Sequence, residues 1–160
     1  MRLNHLLGVF VSSILAAVGW IGTASAAEFA CTEQGILDAI ATGGGPHTFA
    51  CDGPTTVVTS ATIGIRRKVV IDGDGMLGVD GNDDHRVFRV NPGVKATLDE
   101  VIISRENAGE SENGEGVLVE GNLTLIRSVI SNNKAWRGGG LASTTEATLA
   151  LIESHVSGNT

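Results

Sequence analysis

Along the last third of the chain, apolar residues fall at every second position in short runs, and the runs themselves repeat. Thr97-Leu98-Asp99-Glu100-Val101-Ile102-Ile103-Ser104 is echoed by Thr124-Leu125-Ile126-Arg127-Ser128-Val129-Ile130-Ser131. It is echoed again by Ala150-Leu151-Ile152-Glu153-Ser154-His155-Val156-Ser157, at offsets of 27 and then 26 residues. Period 2 within each run predicts half-buried strand. A period of roughly 20–50 residues between runs predicts stacked units, each too thin to bury its apolar face alone.

The echo also predicts a register. Ala96 and Leu98, Leu123 and Leu125, and Leu149 and Leu151 point to one face. A corner follows at Glu100-Val101, Arg127-Ser128 and Glu153-Ser154, after which Ile103, Ile130 and Val156 point inward again. Stacking sets like positions about 4.8 Å apart, so aliphatic columns fill the interior. The same stacking aligns Glu100, Arg127 and Glu153 as an acid–base–acid column, and Ser104, Ser131 and Ser157 as a hydrogen-bonding ladder rather than three nucleophiles. The pattern predicts an all-β parallel solenoid.

Upstream, Cys31–Ala41 reads as a short helix. Thr32 is its N-cap, Glu33 suits the first turn, and Ile36, Leu37 and Ile40 share a face. Gly43-Gly44-Gly45-Pro46 ends it. A one-faced helix placed there covers the open apolar end of the first coil. Thr55–Ile65, Lys68–Ile71, Met76–Val79 and Val87–Val90 read as strands, bounded by Gly, Asn and Asp turn residues.

The first segment has the form of an export signal. Arg2 precedes an apolar stretch, Leu6–Val18, and Ala24-Ser25-Ala26 offers a cleavage site before Ala27. The uncharged Leu6–Ala27 is also long enough to serve as an uncleaved anchor. Its glycines and serines, and the placement of the small-residue site, weigh for cleavage. No membrane-spanning segment is expected after that cut. In an exported chain the pair Cys31 and Cys51 is most simply a disulfide, which would pin the helix to the first strand. The expected division is a signal peptide at 1–26, a cap of helix plus first strand closed by the disulfide at 27–54, and solenoid coils over 55–160. The last residues, Ser157-Gly158-Asn159-Thr160, stand inside a repeat. The expectation is therefore a truncated array from a longer reading frame.

Composition narrows the function classes. The chain has 160 residues with 22 Gly, 3 Pro, no Tyr and a net charge of −7. Many glycines and few aromatics suit tight turns and aliphatic ladders better than a helical bundle. An acidic surface repels nucleic acid, so no nucleic-acid partner is expected. The basic residues are scattered apart from Arg66-Arg67-Lys68.

At Gly138-Gly139-Gly140-Leu141 the chain resembles the glycine half of the repeat in polymorphic outer membrane proteins. Ile130-Ser131-Asn132-Asn133 and Val156-Ser157-Gly158-Asn159 are similar to that repeat's other half, with Ile or Val where that family has Phe. The wider set of bacterial right-handed parallel β-helix repeat proteins, of pectin-lyase-like fold, is resembled more closely. Cys31…Ile36-Leu37-Asp38-Ala39-Ile40 is similar to their N-terminal cap. The resemblance implies a right-handed parallel β-helix with a short capping helix. It says little about activity, because that fold hosts adhesins, lyases and hydrolases alike.

Gly73-Asp74-Gly75-Met76-Leu77-Gly78 matches a dinucleotide fingerprint, but Val79-Asp80-Gly81-Asn82-Asp83-Asp84 cannot open the helix that motif needs, so these are turn glycines. Asp72, Asp74, Asp80, Asp83 and Asp84 form the densest acidic group. Such a group can hold Ca²⁺. In lyases sharing the fold it would act with a base such as Arg86 or Arg89, and in hydrolases Asp83-Asp84 would act as a pair. The simpler reading is a set of turn formers. Trp136 is a packing lid or a sugar platform. His47, His85 and His155 show no ligand spacing, and the sequon Asn122-Leu123-Thr124 lies in a strand with Leu123 inward. No catalytic residue, metal ligand or cofactor is assigned. The expectation is a secreted or outer-membrane, cell-surface β-helix scaffold of adhesin-like type, whose partner is a glycan or a cell-envelope component. A polysaccharide lyase or glycoside hydrolase is the alternative.

Overall fold

The computed structural model describes residues 26–104, 116–135 and 139–160. Strand β1 (Ala27–Ala30) leads into helix α1 (Glu33–Thr42) and strand β2 (Gly44–Ala50). Then come β3 (Thr55–Val58), β4 (Ile63–Ile65), β5 (Val69–Asp72), β6 (Leu77–Asp80), β7 (Phe88–Val90), β8 (Lys95–Asp99) and β9 (Ile102–Ser104). The remaining strands are β10 (Val117–Val119), β11 (Asn122–Ile126), β12 (Val129–Ser131), β13 (Leu141–Ser143), β14 (Thr148–Ile152) and β15 (His155–Ser157).

These strands lie in three sheets whose pairings are parallel. The first is β1-β2-β5-β8-β11-β14, the second β3-β6-β9-β12-β15 and the third β4-β7-β10-β13. The chain visits first, second and third sheets in rotation, so each circuit makes one coil of a parallel β-helix. The columns expected from the repeat are present. Ile71, Leu98, Leu125 and Leu151 stack in the first sheet. Val57, Val79, Ile103, Ile130 and Val156 stack in the second, and Ile63, Phe88, Val117 and Leu141 in the third. Ile71, Leu98, Leu125, Ile103 and Ile130 have no exposed surface, or almost none. In the last described coil Leu151 and Val156 lack a covering layer and are 44% and 43% exposed.

The corner between the first and second sheets is built from one residue in the left-handed region. Glu100, Arg127 and Glu153 have φ of 53°, 44° and 50°. A serine follows two of them and becomes the corner's internal bridge. Ser128 Oγ donates toward the carbonyls of Ile126 and Leu98 and accepts from the Val101 N–H, and Ser154 Oγ accepts from the Ser128 N–H at 3.1 Å. A stacked serine bond therefore exists, but at Ser128 and Ser154. Ser104, Ser131 and Ser157 do stand in one column. Among the described residues no hydrogen bond joins their hydroxyls.

Two expectations need correction. Thr55–Ile65 is not one strand: β3 and β4 lie in different sheets, with a corner at Thr59–Thr62. The corner itself carries only Ser60-Ala61 between β-branched residues, with no Gly, Asn, Asp or Pro to mark it. Helix α1 buries Gly35, Ile36, Ala39 and Ile40, while Leu37 is 38% exposed. Gly35 faces the Ala30 carbonyl so closely that a methyl group there would collide with it. The helix is therefore turned toward its small residues, and Leu37 is left outside. The glycine run does end α1 as expected, and Gly44–Pro46 already belong to β2.

Helix α1 is capped as its sequence implies. Thr32 Oγ1 accepts from the Gly35 N–H at 3.1 Å, and Gly43, at φ 67°, closes the far end through a bond to the Ala39 carbonyl. Cys31 and Cys51 are joined, tying the start of α1 to the end of β2. His47 is fully buried beneath this cap, with Nε2 at 2.9 Å from the Gly43 carbonyl and its ring edge-on to Phe29.

Candidate functional site

The acidic group does not converge. Asp72 and Asp74 lie at the first-to-second corner, whereas Asp80, Asp83 and Asp84 lie at the second-to-third corner, with β6 between them. Each half makes a local turn. Asp72 Oδ1 accepts from the Asp74 N–H at 3.1 Å, and Asp80 Oδ1 accepts from the Asn82 N–H at 2.8 Å. Asp74, Asn82 and Asp83 take left-handed backbone, with φ of 50°, 59° and 54°. These aspartates are turn formers, for the reason their residue type suggests. Among the described residues no three of His, Cys, Asp and Glu gather closely enough to hold a metal ion.

Arg89 is not placed to abstract a proton. Its guanidinium forks onto Glu120, one coil further on, with Nε–Oε2 at 2.6 Å and Nη2–Oε1 at 3.1 Å. That hydrogen-bonded pairing raises the Arg89 pKa and holds the Glu120 carboxyl below the usual carboxylate range. A carboxylate with a lowered pKa adds stability at neutral pH, and the contribution is lost as pH falls through the lowered value. Glu120→Gln is therefore expected to lower the melting temperature slightly at neutral pH and in low salt. The gap from the parent should close in strong acid, as thermal melts across pH would show.

The expected charge column is present. Arg127 Nε bonds Glu100 Oε1 at 2.6 Å, and Nη2 reaches Asp99 Oδ2 at 2.8 Å. The Glu100 hydrogen bond raises the Arg127 pKa, and Asp99, Glu100 and Glu153 add attraction. Arg127→Glu sets three carboxylates at one corner height after another. It is expected to lower the melting temperature by a few degrees, most at low ionic strength, because exposed pairs are weak and screened. An unchanged melt would refute the alignment.

A pair that sequence reasoning missed lies one coil apart. Thr59 Oγ1 is 2.9 Å from His85 Nε2 and donates to the Asp80 carbonyl at 3.1 Å. Thr59 is buried, so its hydroxyl is sealed from any substrate. The pair fastens residues 81–87 to the preceding coil. The only sequence signal for it is a separation of 26 residues, one coil period. His155 is exposed, as expected, and Leu123 of the sequon is buried. Trp136 and Gly138, and the polar stretch 105–115, lie outside the described residues.

Variation between coils is concentrated at one corner. The first-to-second corner is two residues long in the three registered coils: Glu100-Val101, Arg127-Ser128 and Glu153-Ser154. The intervals between second-sheet and third-sheet strands are the longest in sequence, at 59–62, 81–87, 105–116 and 132–140, the last two only partly within the described residues. That edge is locked by an asparagine ladder. Asn159 Oδ1 accepts from both the Asn133 N–H and its side-chain amide at 3.0 Å, while Asn159 Nδ2 donates to the Ile130 carbonyl at 3.0 Å. Gly140 faces Asn159, and a methyl group on Gly140 would lie 2.5 Å from Asn159 Nδ2.

A second feature lies at the cap. A groove of about 350 Å³ runs between α1 and the third sheet, lined by Leu37, Ile40, Ala41, Gly64, Arg66 and Arg67, with Thr62 at its end. No family model, curated protein or solved structure matches the chain. No described helix is long and apolar enough to cross a membrane.

Proposed function

We propose that the chain is an exported, cell-surface β-helix scaffold that binds through its second-to-third edge and has no chemistry of its own. The observation that carries this reading is that the longest and most varied intervals between strands fall at that edge, beside three parallel sheets. A rigid prism with one variable edge is the arrangement of a presenting scaffold, because binding residues gather on loops that a rigid framework positions. The polymorphic outer membrane protein-like repeat is supported by contact between its two halves. The glycine half, at Gly140, gives the room that the Asn159 side chain of the other half occupies. The partner expected at the edge is a glycan or another cell-envelope component. The signal at 1–26, the cap at 27–54 and the coils at 55–160 belong to the same reading.

Fractionation of producing cells tests it, with N-terminal sequencing of the recovered protein. Envelope or extracellular protein beginning at Ala27 is expected, and full-length chain confined to the cytoplasm would overturn the reading. Clearing of pectin, polygalacturonate or alginate plates by the purified protein would replace it with the carbohydrate-active alternative.

A further inference from the structure

The three sheets end differently toward the N-terminus. The first continues beyond β5 into β2 and β1. The second stops at β3, and the cap reaches the corner after it, where Glu33 Oε1 accepts from the Ser60 N–H at 2.8 Å and from the Ser60 hydroxyl at 2.9 Å. The third stops at β4. There Ile63 donates to the Val87 carbonyl and Ile65 accepts from the Asn91 N–H, so both odd-numbered residues spend their backbone groups on β7. In a parallel ladder the residue between them turns its N–H and C=O to the opposite edge. That residue is Gly64, and among the described residues no strand pairs with it from that side. Thr62, Gly64 and Arg66, at alternate positions, all line the groove against α1.

The groove is also charged, in a molecule of net charge −7. Arg89 and Arg127 are each matched by carboxylates. Among the described residues Arg66, Arg67 and Lys68 make no ion pair. Two glycines seat the arginines. A methyl group on Gly64 would lie 3.4 Å from Arg66 Nε, and one on Gly43 would lie 2.8 Å from Arg67 Cδ. The two guanidinium groups thus flank a bare strand edge, with Leu37 and Ala41 opposite.

We propose that this groove binds an extended acidic peptide, added as a further strand on the Gly64 edge, with its carboxylates on Arg66 and Arg67 and its apolar side chains against α1. The free backbone edge selects peptide over an acidic saccharide, which cannot continue the ladder. The unpaired arginines select acidic side chains, through forked guanidinium–carboxylate bonds. The proposal is independent of what binds at the loop edge. The same charges would serve merely to keep foreign strands off the edge if no peptide bound.

The probe is a fluorescein-labelled, end-blocked peptide alternating Glu and Val, titrated with the protein by anisotropy in low salt. Saturable binding is expected. It should weaken at least tenfold in the double variant Arg66→Gln/Arg67→Gln, whose thermal melt should match the parent because both side chains are exposed. A probe with the same side chains but N-methylated at alternate amides should not bind, because it cannot donate to the edge. Three results would overturn the proposal: no binding of the parent probe, equal binding of the N-methylated probe, or unchanged affinity in the double variant. Displacement of the probe by trigalacturonate at equal concentration would also overturn it, in favour of an acidic saccharide.

Discussion

Truncating Leu125 to alanine is expected to destabilise the protein by about 2–5 kcal/mol, the range for a buried leucine whose cavity cannot collapse. Leu125 has no exposed surface. It stands between Leu98 and Leu151, on a strand hydrogen-bonded along both edges. Its neighbours are held by those ladders at fixed spacing, so they cannot close over the vacated volume. Leu151→Ala provides the internal comparison. It removes the same atoms from the same column, but nearly half of Leu151 is in water, so roughly 1 kcal/mol or less is expected. Urea titration of both variants checks this, with a lower midpoint and an unchanged slope expected for Leu125→Ala. Equal losses in the two variants would mean that the column is wrongly assigned.

Removing the disulfide is expected to have the second large effect. Cys31 and Cys51 are separated by 20 residues. A loop of that length adds about 3 kcal/mol in the chain-entropy account, and removal of a native bridge from a small domain typically costs about 2–5 kcal/mol. The double variant Cys31→Ala/Cys51→Ala should therefore melt well below the parent. The loss should be local before it is global, because the bridge joins the cap rather than the coils. Amides of 36–43 should lose hydrogen-exchange protection first, and those of β8 and β11 last. Uniform loss of protection, or a melt unchanged by the double substitution, would contradict the cap's role.

What was legible in the sequence followed from the repeat. Leu98 and Leu125, or Ile103 and Ile130, announce their columns because the same spacing of apolar residues recurs at one offset. The same logic placed Glu100, Arg127 and Glu153 at one corner. It did not show that these residues carry the left-handed backbone, since neither Glu nor Arg signals that conformation as Gly or Asn does. Outside the registered coils the signal weakened for particular reasons. Strand β1 follows an uncharged run in the sequence that hides its start, and is only Ala27–Ala30. The corner at Thr59–Thr62 has no Gly, Pro, Asn or Asp, only Ser60. Leu37 was assigned inward because a count of large apolar residues overlooks Gly35 and Ala39, the side on which the backbone can approach β1.

The candidate sites were less legible, because they are made by stacking. Arg89 and Glu120 are 31 residues apart and Thr59 and His85 are 26 apart, so neither pair is visible until the coil register is known. The five aspartates look like one cluster in a linear reading, but one short strand carries them to separate corners. Arg66-Arg67-Lys68 was noticeable as an exception to the acidic surface. Its meaning depends on which edge of the third sheet is left open, a matter of topology alone.

The most direct test of the β-helix register is a methyl NOE spectrum of selectively labelled leucines. Cross-peaks between Leu98 and Leu125 and between Leu125 and Leu151, with none between Leu98 and Leu151, are the expected result, because adjacent coils lie about 4.8 Å apart. Absence of the two adjacent-coil contacts, or Leu98 in direct contact with Leu151, would contradict the register from which the corners, the variable edge and the open β4 edge all follow.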